Sequence, residues 1–482
     1  MLYHSTRNDA LTADSAQAVL HGLAPDGGLY VAQPPELDWR SVLPLSTFDM
    51  AEKILSALLP EFDGMHELVR RAYAGKFETD ELTPLVPVGE RYVLELFRGP
   101  TSAFKDVALS MLPQLITAAR KKTGMTDGIL ILTATSGDTG KAALAGFRDV
   151  PGTKIIVFYP KAGVSQVQEA QMVTQEGENV CVCAVRGNFD DTQTGVKEIF
   201  TAGAPAGSGV VLSSANSINI GRLAPQVVYY FKAYGDLCRS GRIQAGEAVD
   251  FVVPTGNFGD ILAGYLAKRL GLPVGTLVCA SNRNNVLTDF LQTGVYDRRR
   301  PFYKTLSPSM DILVSSNLER LLYFLTNDAA QVAEWMRALR EEGRFAVSPT
   351  VLERLHAEFA WGCCGDDETK AAIGRVWREH HYLMDTHTAV AWRVAEGYES
   401  GRPVVVLSTA SPYKFPTAVL EAIGGDRSGS EFDRMHRLHE ITGVPVPAGL
   451  AALEEKPRKH FNVIDCDEMP DFVLRKVSRW EA

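Results

Sequence analysis

The chain has 482 residues, 45% of them hydrophobic and 22% charged, the profile of a globular protein with apolar material for two or three domains at roughly 150 residues each. Its 49 Lys+Arg stand against 58 Asp+Glu, a formal net charge of -9, and no long basic run occurs, which disfavours nucleic acid and anionic membranes as partners. No apolar stretch approaches the roughly 18 residues of a membrane helix, and Met1-Leu2-Tyr3-His4-Ser5 does not begin a cationic segment followed by an apolar one, so a soluble, cytoplasmic protein is expected.

In chain order, a Gly/Pro turn at Pro25-Asp26-Gly27-Gly28 and a break at Gln33-Pro34-Pro35 precede two helical patterns, at about 48–59 and 66–73. These make a small N-terminal unit ending near residue 84. The Pro-punctuated segment Thr83-Pro84-Leu85-Val86-Pro87 then leads into a strand at Tyr92–Phe97. Beyond it, short apolar runs at Ile129–Leu132, Ile155–Tyr159, Val180–Val185, Phe251–Val253, Leu277–Cys279 and Val404–Leu407 alternate with helix-length amphipathic segments. Continuous Val/Ile/Leu runs separated by helices are the mark of parallel strands buried on both faces, so the fold class is α/β. The Arg- and Glu-rich tail after about Gly425 reads as an extension packed on the body.

One device recurs three times: a strand, a loop rich in small and hydroxyl residues, then a helix. It occurs at Glu95 to Asp106, at Leu132 to Gly140, and at Val253 to Asp260. Each copy presents unpaired backbone N–H groups and the positive end of a helix dipole at the carboxyl end of a strand, where open α/β sheets bind ligands. Any one copy also reads as plain capping, with Asp138 or Asn257 as caps and the glycines as turn formers. The three together point to a site for anions.

Gly137-Asp138-Thr139-Gly140-Lys141 is not a P-loop, because Thr135 stands where the first glycine belongs and Ala142 where Ser/Thr should follow. No G-x-G-x-x-G follows a candidate strand and no G-x-S-x-G occurs. The seven cysteines form no C-x-x-C pair and there is no H-E-x-x-H, so neither a metal site nor a disulfide framework is indicated. Lys105 stands out at the junction of a Thr/Ser loop and a helix, electrostatically the wrong place for an ammonium. Burial or a helix N-terminus lowers a lysine's pKa, as a Schiff-base amine requires; the alternative is a surface lysine lying along apolar neighbours.

Leu94-Glu95-Leu96-Phe97-Arg98-Gly99-Pro100-Thr101-Ser102-Ala103-Phe104-Lys105-Asp106, Ala134 to Gly140, Asn216-Ser217-Ile218-Asn219 and Pro254-Thr255-Gly256-Asn257-Phe258-Gly259-Asp260 resemble the pyridoxal-phosphate-dependent threonine synthases, in the order the family shows. Agreement extends from Gly22-Leu23-Ala24-Pro25-Asp26-Gly27-Gly28-Leu29-Tyr30 to Ser408-Thr409-Ala410-Ser411-Pro412-Tyr413-Lys414-Phe415. The resemblance implies a tryptophan-synthase-β-like fold (fold type II), with two parallel-sheet α/β domains behind a small N-terminal domain. The implied division is 1–84 for the N-terminal domain, 85–125 with 236–425 for the cofactor domain, 126–235 for a smaller mobile domain and 426–482 for a C-terminal extension.

Carried over by resemblance, Lys105 forms the Schiff base with pyridoxal 5'-phosphate and later moves protons. Thr255, Gly256, Asn257, Phe258, Gly259 and Asp260 hold the cofactor phosphate, and Thr409 faces the pyridine nitrogen. Asp138, with Ser136, Gly137 and Thr139, receives the substrate carboxylate and the cofactor's ring hydroxyl; Thr101 and Thr135 are placed with the substrate. Asn216, Ser217 and Arg222 contact the substrate phosphate, which suits the guanidinium fork; the alternative for Asn216 and Ser217 is a loop before a helix from Arg222 to Tyr234 with Pro225 in its first turn. Lys414 is either a further phosphate ligand or a solvated loop lysine. The implied reaction converts O-phospho-L-homoserine and water to L-threonine and phosphate, in a monomer or homodimer. A phospholyase releasing 2-oxobutanoate would share these motifs, and a non-catalytic relative would need a damaged site.

Overall fold

The computed structural model describes residues 1–135, 137–204 and 208–477. Two sheets organise it. A six-stranded sheet runs in the order Phe359–Cys363, Val274–Ser281, Val249–Pro254, Val404–Ser408, Arg91–Glu95, Leu85–Val88. All its neighbours are parallel except the edge hairpin formed by Leu85–Val88 and Arg91–Glu95. A five-stranded, all-parallel sheet runs in the order Asn462–Asp465, Val180–Arg186, Thr153–Pro160, Gly128–Ala134, Val210–Ser214. Every residue of Gly128–Ala134, Val249–Pro254 and Val404–Ser408 is buried, as expected where helices cover both faces of a parallel sheet.

The apolar runs read from the sequence all fall inside these strands. The tail differs from expectation. Besides the helices Glu431–Thr442 and Met469–Val477, it supplies the strand Asn462–Asp465, which pairs in register from Asn462 opposite Cys183 to Asp465 opposite Arg186. Phe472 of the last helix closes edge-on against Phe158 of the same sheet, ring centroids 5.9 Å apart. Four residues flanked by charges carry no readable strand period; the neighbouring strand defines them.

The N-terminal residues build a small antiparallel sheet of Tyr3–Ser5, Asn8–Ala13 and Tyr30–Val31, followed by the helices Thr47–Leu58 and Met65–Tyr73. They are tied to the body by buried polar groups. The Tyr73 hydroxyl donates to the Val107 carbonyl at 2.9 Å. The fully buried Arg320 donates to the carbonyls of Tyr30 (2.9 Å) and Ile218 (2.6 Å) and to Asn317 Oδ1 (2.5 Å). One guanidinium thus joins the N-terminal sheet to the loop before the helix Ile220–Arg239. Among the described residues no helix is long and apolar enough to cross a membrane.

Candidate active site

The three strand–loop–helix units deliver their loops to one cavity of about 320 Å³. Lys105 enters it as the first residue of the helix Lys105–Lys122, its side chain 12% exposed. Its Nζ lies 3.5 Å from Ser309 Oγ and 4.0 Å from Asp138 Oδ2. Burial lowers its pKa from the usual lysine value, and Lys414 and Arg222 nearby act in the same direction against the opposing pull of Asp138. This is a buried amine, not a lysine lying along the surface.

Asp138 opens the helix Asp138–Phe147 without capping it. Thr135 Oγ1 takes that duty, accepting from the N–H groups of Gly137 and Gly140, both at 2.9 Å. The Asp138 carboxylate instead accepts from Gln168 Nε2 at 3.0 Å and pairs with Lys414 Nζ at 2.7 Å. Burial alone would raise its pKa, but Lys414 and Lys105 hold it well below the usual carboxylate range. Lys414 is wholly buried and also donates to the Thr101 carbonyl at 3.1 Å, so the reading of a solvated loop lysine is corrected: the Asp138 charge holds it inside. Thr101 does not turn its hydroxyl to the cavity; Oγ1 and N donate to Asp106 at 2.6 and 2.8 Å.

The third loop follows Val249–Pro254. Gly256, Asn257, Gly259 and Asp260 line the cavity, while Thr255 bonds its hydroxyl to the Val253 carbonyl at 2.7 Å and Phe258 is buried beneath. Phe258 takes the left-handed conformation, φ +64°, immediately before the helix Gly259–Arg269, which turns the loop sharply at that helix N-terminus. Asn257 is not a cap; its carbonyl accepts from Asn317 N at 3.0 Å. Burial pushes the Asp260 carboxyl up to about 7. A Cβ added at Gly256 would stand 2.6 Å from the Ser309 carbonyl oxygen. Gly256→Ala is therefore expected to destabilise the fold by about 1–3 kcal/mol, read as a lower midpoint in denaturant.

Arg222 sits 2% exposed in the helix Ile220–Arg239, which starts two residues earlier than expected and so carries Pro225 inside its second turn. Asn219 caps it through Gly221 N at 2.8 Å. The guanidinium donates from Nη1 to the Ala215 carbonyl, and its buried Nε has no partner. Asn216 and Ser217 line the cavity beside it, with Ser217 Oγ 3.5 Å from Ser316 Oγ. Thr135, Thr139 and Thr409 also reach the cavity wall. Gly137 does not; it packs on Gln168 with φ +138°. Ser136 lies outside the described residues.

Three family models match in tandem: Threonine synthase N terminus at residues 2–73, Pyridoxal-phosphate dependent enzyme at 80–357, and Threonine synthase, C-terminal, at 388–473. The PLP-bound threonine synthase structure from Brucella melitensis superposes with a TM-score of 0.87 at 39% identity over 100% of both chains. The chain belongs to the threonine synthase family. Threonine synthase of Pseudomonas aeruginosa is 39% identical over 435 residues, 88% of this chain and 90% of the relative. Threonine synthase-like 1 of Homo sapiens is 39% identical over 431 residues, 85% of this chain but only 58% of the human protein. The fold is that of the type II pyridoxal-phosphate enzymes, and pyridoxal phosphate is the cofactor of this threonine synthase family member. The cavity fits it: a buried amine faces a loop at a helix N-terminus, where a side chain at Gly256 would fill the space needed by Ser309.

Sequence reading missed two participants. Ser309, on the loop crossing the cavity, stands between Lys105 and Asp138, donating to Asp138 Oδ2 at 3.4 Å. His387 accepts from Ser309 N at 3.1 Å through Nε2, and its Nδ1 donates to Asp385 Oδ2 at 2.7 Å, which fixes the ring and the loop. Asp385 is legible as a helix cap before Thr386-His387-Thr388; its bond to the ring is not.

Proposed function

We propose that this chain converts O-phospho-L-homoserine and water to L-threonine and phosphate. What carries the reading is one cavity holding a buried amine, Lys105, together with a buried guanidinium, Arg222, that has an unpartnered Nε and no ion pair among the described residues. Arg222 offers the charge-assisted fork that a phosphate monoester needs, beside Asn216 and Ser217.

In this reading Lys105 holds the cofactor covalently, the N–H groups of Gly256 to Asp260 hold its phosphate at the helix N-terminus, and Thr409 faces its ring nitrogen. The cofactor, when bound, supplies an electron sink for the carbanion at the substrate's α carbon. The chain's own groups do the rest. Freed by the substrate's own amine, Lys105, its ammonium disfavoured by burial, takes the α proton and then a β proton, passing protons back to the γ carbon once phosphate has left and to the α carbon at the end. Arg222 retains the γ-phosphate as it departs, and water adds at the β carbon. Thr135, Ser136 and Thr139 are assigned to the substrate carboxylate; Gly137, expected there too, packs on Gln168 instead. Asp138 stays anionic against Lys414 and orients Lys105 through Ser309.

Purified holoenzyme given O-phospho-L-homoserine should release threonine and phosphate in equal amounts. Release of 2-oxobutanoate in place of threonine would replace this reading with that of a phospholyase.

A further inference from the structure

A second polar cavity, of about 270 Å³, lies behind the active site. It opens between the helices Lys105–Lys122 and Asp138–Phe147, at the C-terminal end of the helix Gln166–Val173. Lys105 faces the active site, whereas its neighbour Asp106 faces this cavity.

Four cations converge on the cavity: Lys76, Lys141, Arg148 and Lys456. Two carboxylates oppose them, and both are engaged. Asp106 accepts from Thr101 N and Oγ1, and Glu176 lies 3.5 Å from Arg148 and 3.6 Å from Lys459. The partly buried Lys141 reaches a neutral partner, Gln175 Oε1, at 2.5 Å. Among the described residues Lys76, Lys141 and Lys456 form no ion pair. An ammonium withdrawn from water without an ion pair is held at a cost that an arriving anion would offset. Burial, with Lys456 adding to it and Asp106 opposing, lowers the Lys141 pKa to about 7, so the carboxylate already present does not offset the loss of water.

We propose that this cavity is a second binding site, for a small dianionic oxyanion seated between Lys141 and Lys456 with Lys76 and Arg148 at its rim. It does not depend on the proposed reaction, because no residue of it lines the active-site cavity. A phosphate and a short dicarboxylate share the required chemistry.

The test is calorimetry on the holoenzyme with inorganic phosphate and, separately, succinate, comparing wild type with Lys141→Met, Lys141→Arg and Lys456→Met. The proposal expects one of the two anions to show a binding event that Lys141→Met and Lys456→Met each weaken at least tenfold and Lys141→Arg retains. Phosphate also has a place in the proposed active site, so the variant difference isolates this one, and the arm that responds identifies the ligand class. Crystals soaked in selenate should show an anomalous peak beside Lys141 Nζ. Wild-type titrations indistinguishable from those of Lys456→Met, an exposed position whose change leaves the fold intact, would overturn the site whether or not Lys141→Met folds.

Discussion

Lys105→Ala is expected to lower turnover by about 10⁴-fold or more and to leave no cofactor attached after borohydride reduction, read by intact-protein mass. The expectation rests on placement. Its Nζ ends against Ser309 and Asp138, and its ammonium form is disfavoured by burial. Lys105→Arg should fail equally, since a guanidinium neither forms the Schiff base nor gives up its proton near neutral pH. A Lys105→Ala enzyme with wild-type turnover would refute the assignment.

The second large effect separates activity from stability. Arg222→Met is expected to reduce kcat/KM for the phosphorylated substrate by about 10²–10³-fold, the range for removing one partner of a buried charge pair, while cofactor content stays unchanged. The same substitution should leave the thermal midpoint level or higher. Burial lowers the Arg222 pKa to about 10 and its Nε has no partner, so an apolar isostere removes a desolvation cost without breaking an ion pair, and gives up only the bond from Nη1 to the Ala215 carbonyl. A stabilising ion pair would predict a lower midpoint, and a residue idle in catalysis would predict an unchanged kcat/KM. Together the two measurements decide whether this charge is kept for the ligand or for the fold.

The parts legible in the sequence share a local cause. Val404–Ser408 and Gly128–Ala134 are apolar at almost every position because both faces are covered, and that pattern needs no knowledge of neighbours. The small and hydroxyl residues around Lys105, Asp138 and Gly256 likewise announce loops at helix starts. What was hidden depends on distant partners. His387 reaches Ser309 across 78 positions and Ser309 reaches Asp138 across 171, so nothing beside either residue marks it. Lys414 looked like a loop lysine because the carboxylate that holds it inside is 276 positions earlier in the chain, a separation no local pattern carries. Asn462–Asp465 is a strand through its pairing with Val180–Arg186 rather than through its own residues.

The position of Val404–Ser408 bears on how the chain is made. Translated last among the six strands of its sheet, it sits between Arg91–Glu95 and Val249–Pro254. Until some 400 residues have left the ribosome, those two strands each present an open hydrogen-bonding edge on either side of a one-strand gap. Thr409, which immediately follows the missing strand, is absent for as long as the gap is. The nascent chain therefore passes through a long interval in which it is prone to mispairing and has no complete catalytic pocket, and a single late segment ends both conditions at once.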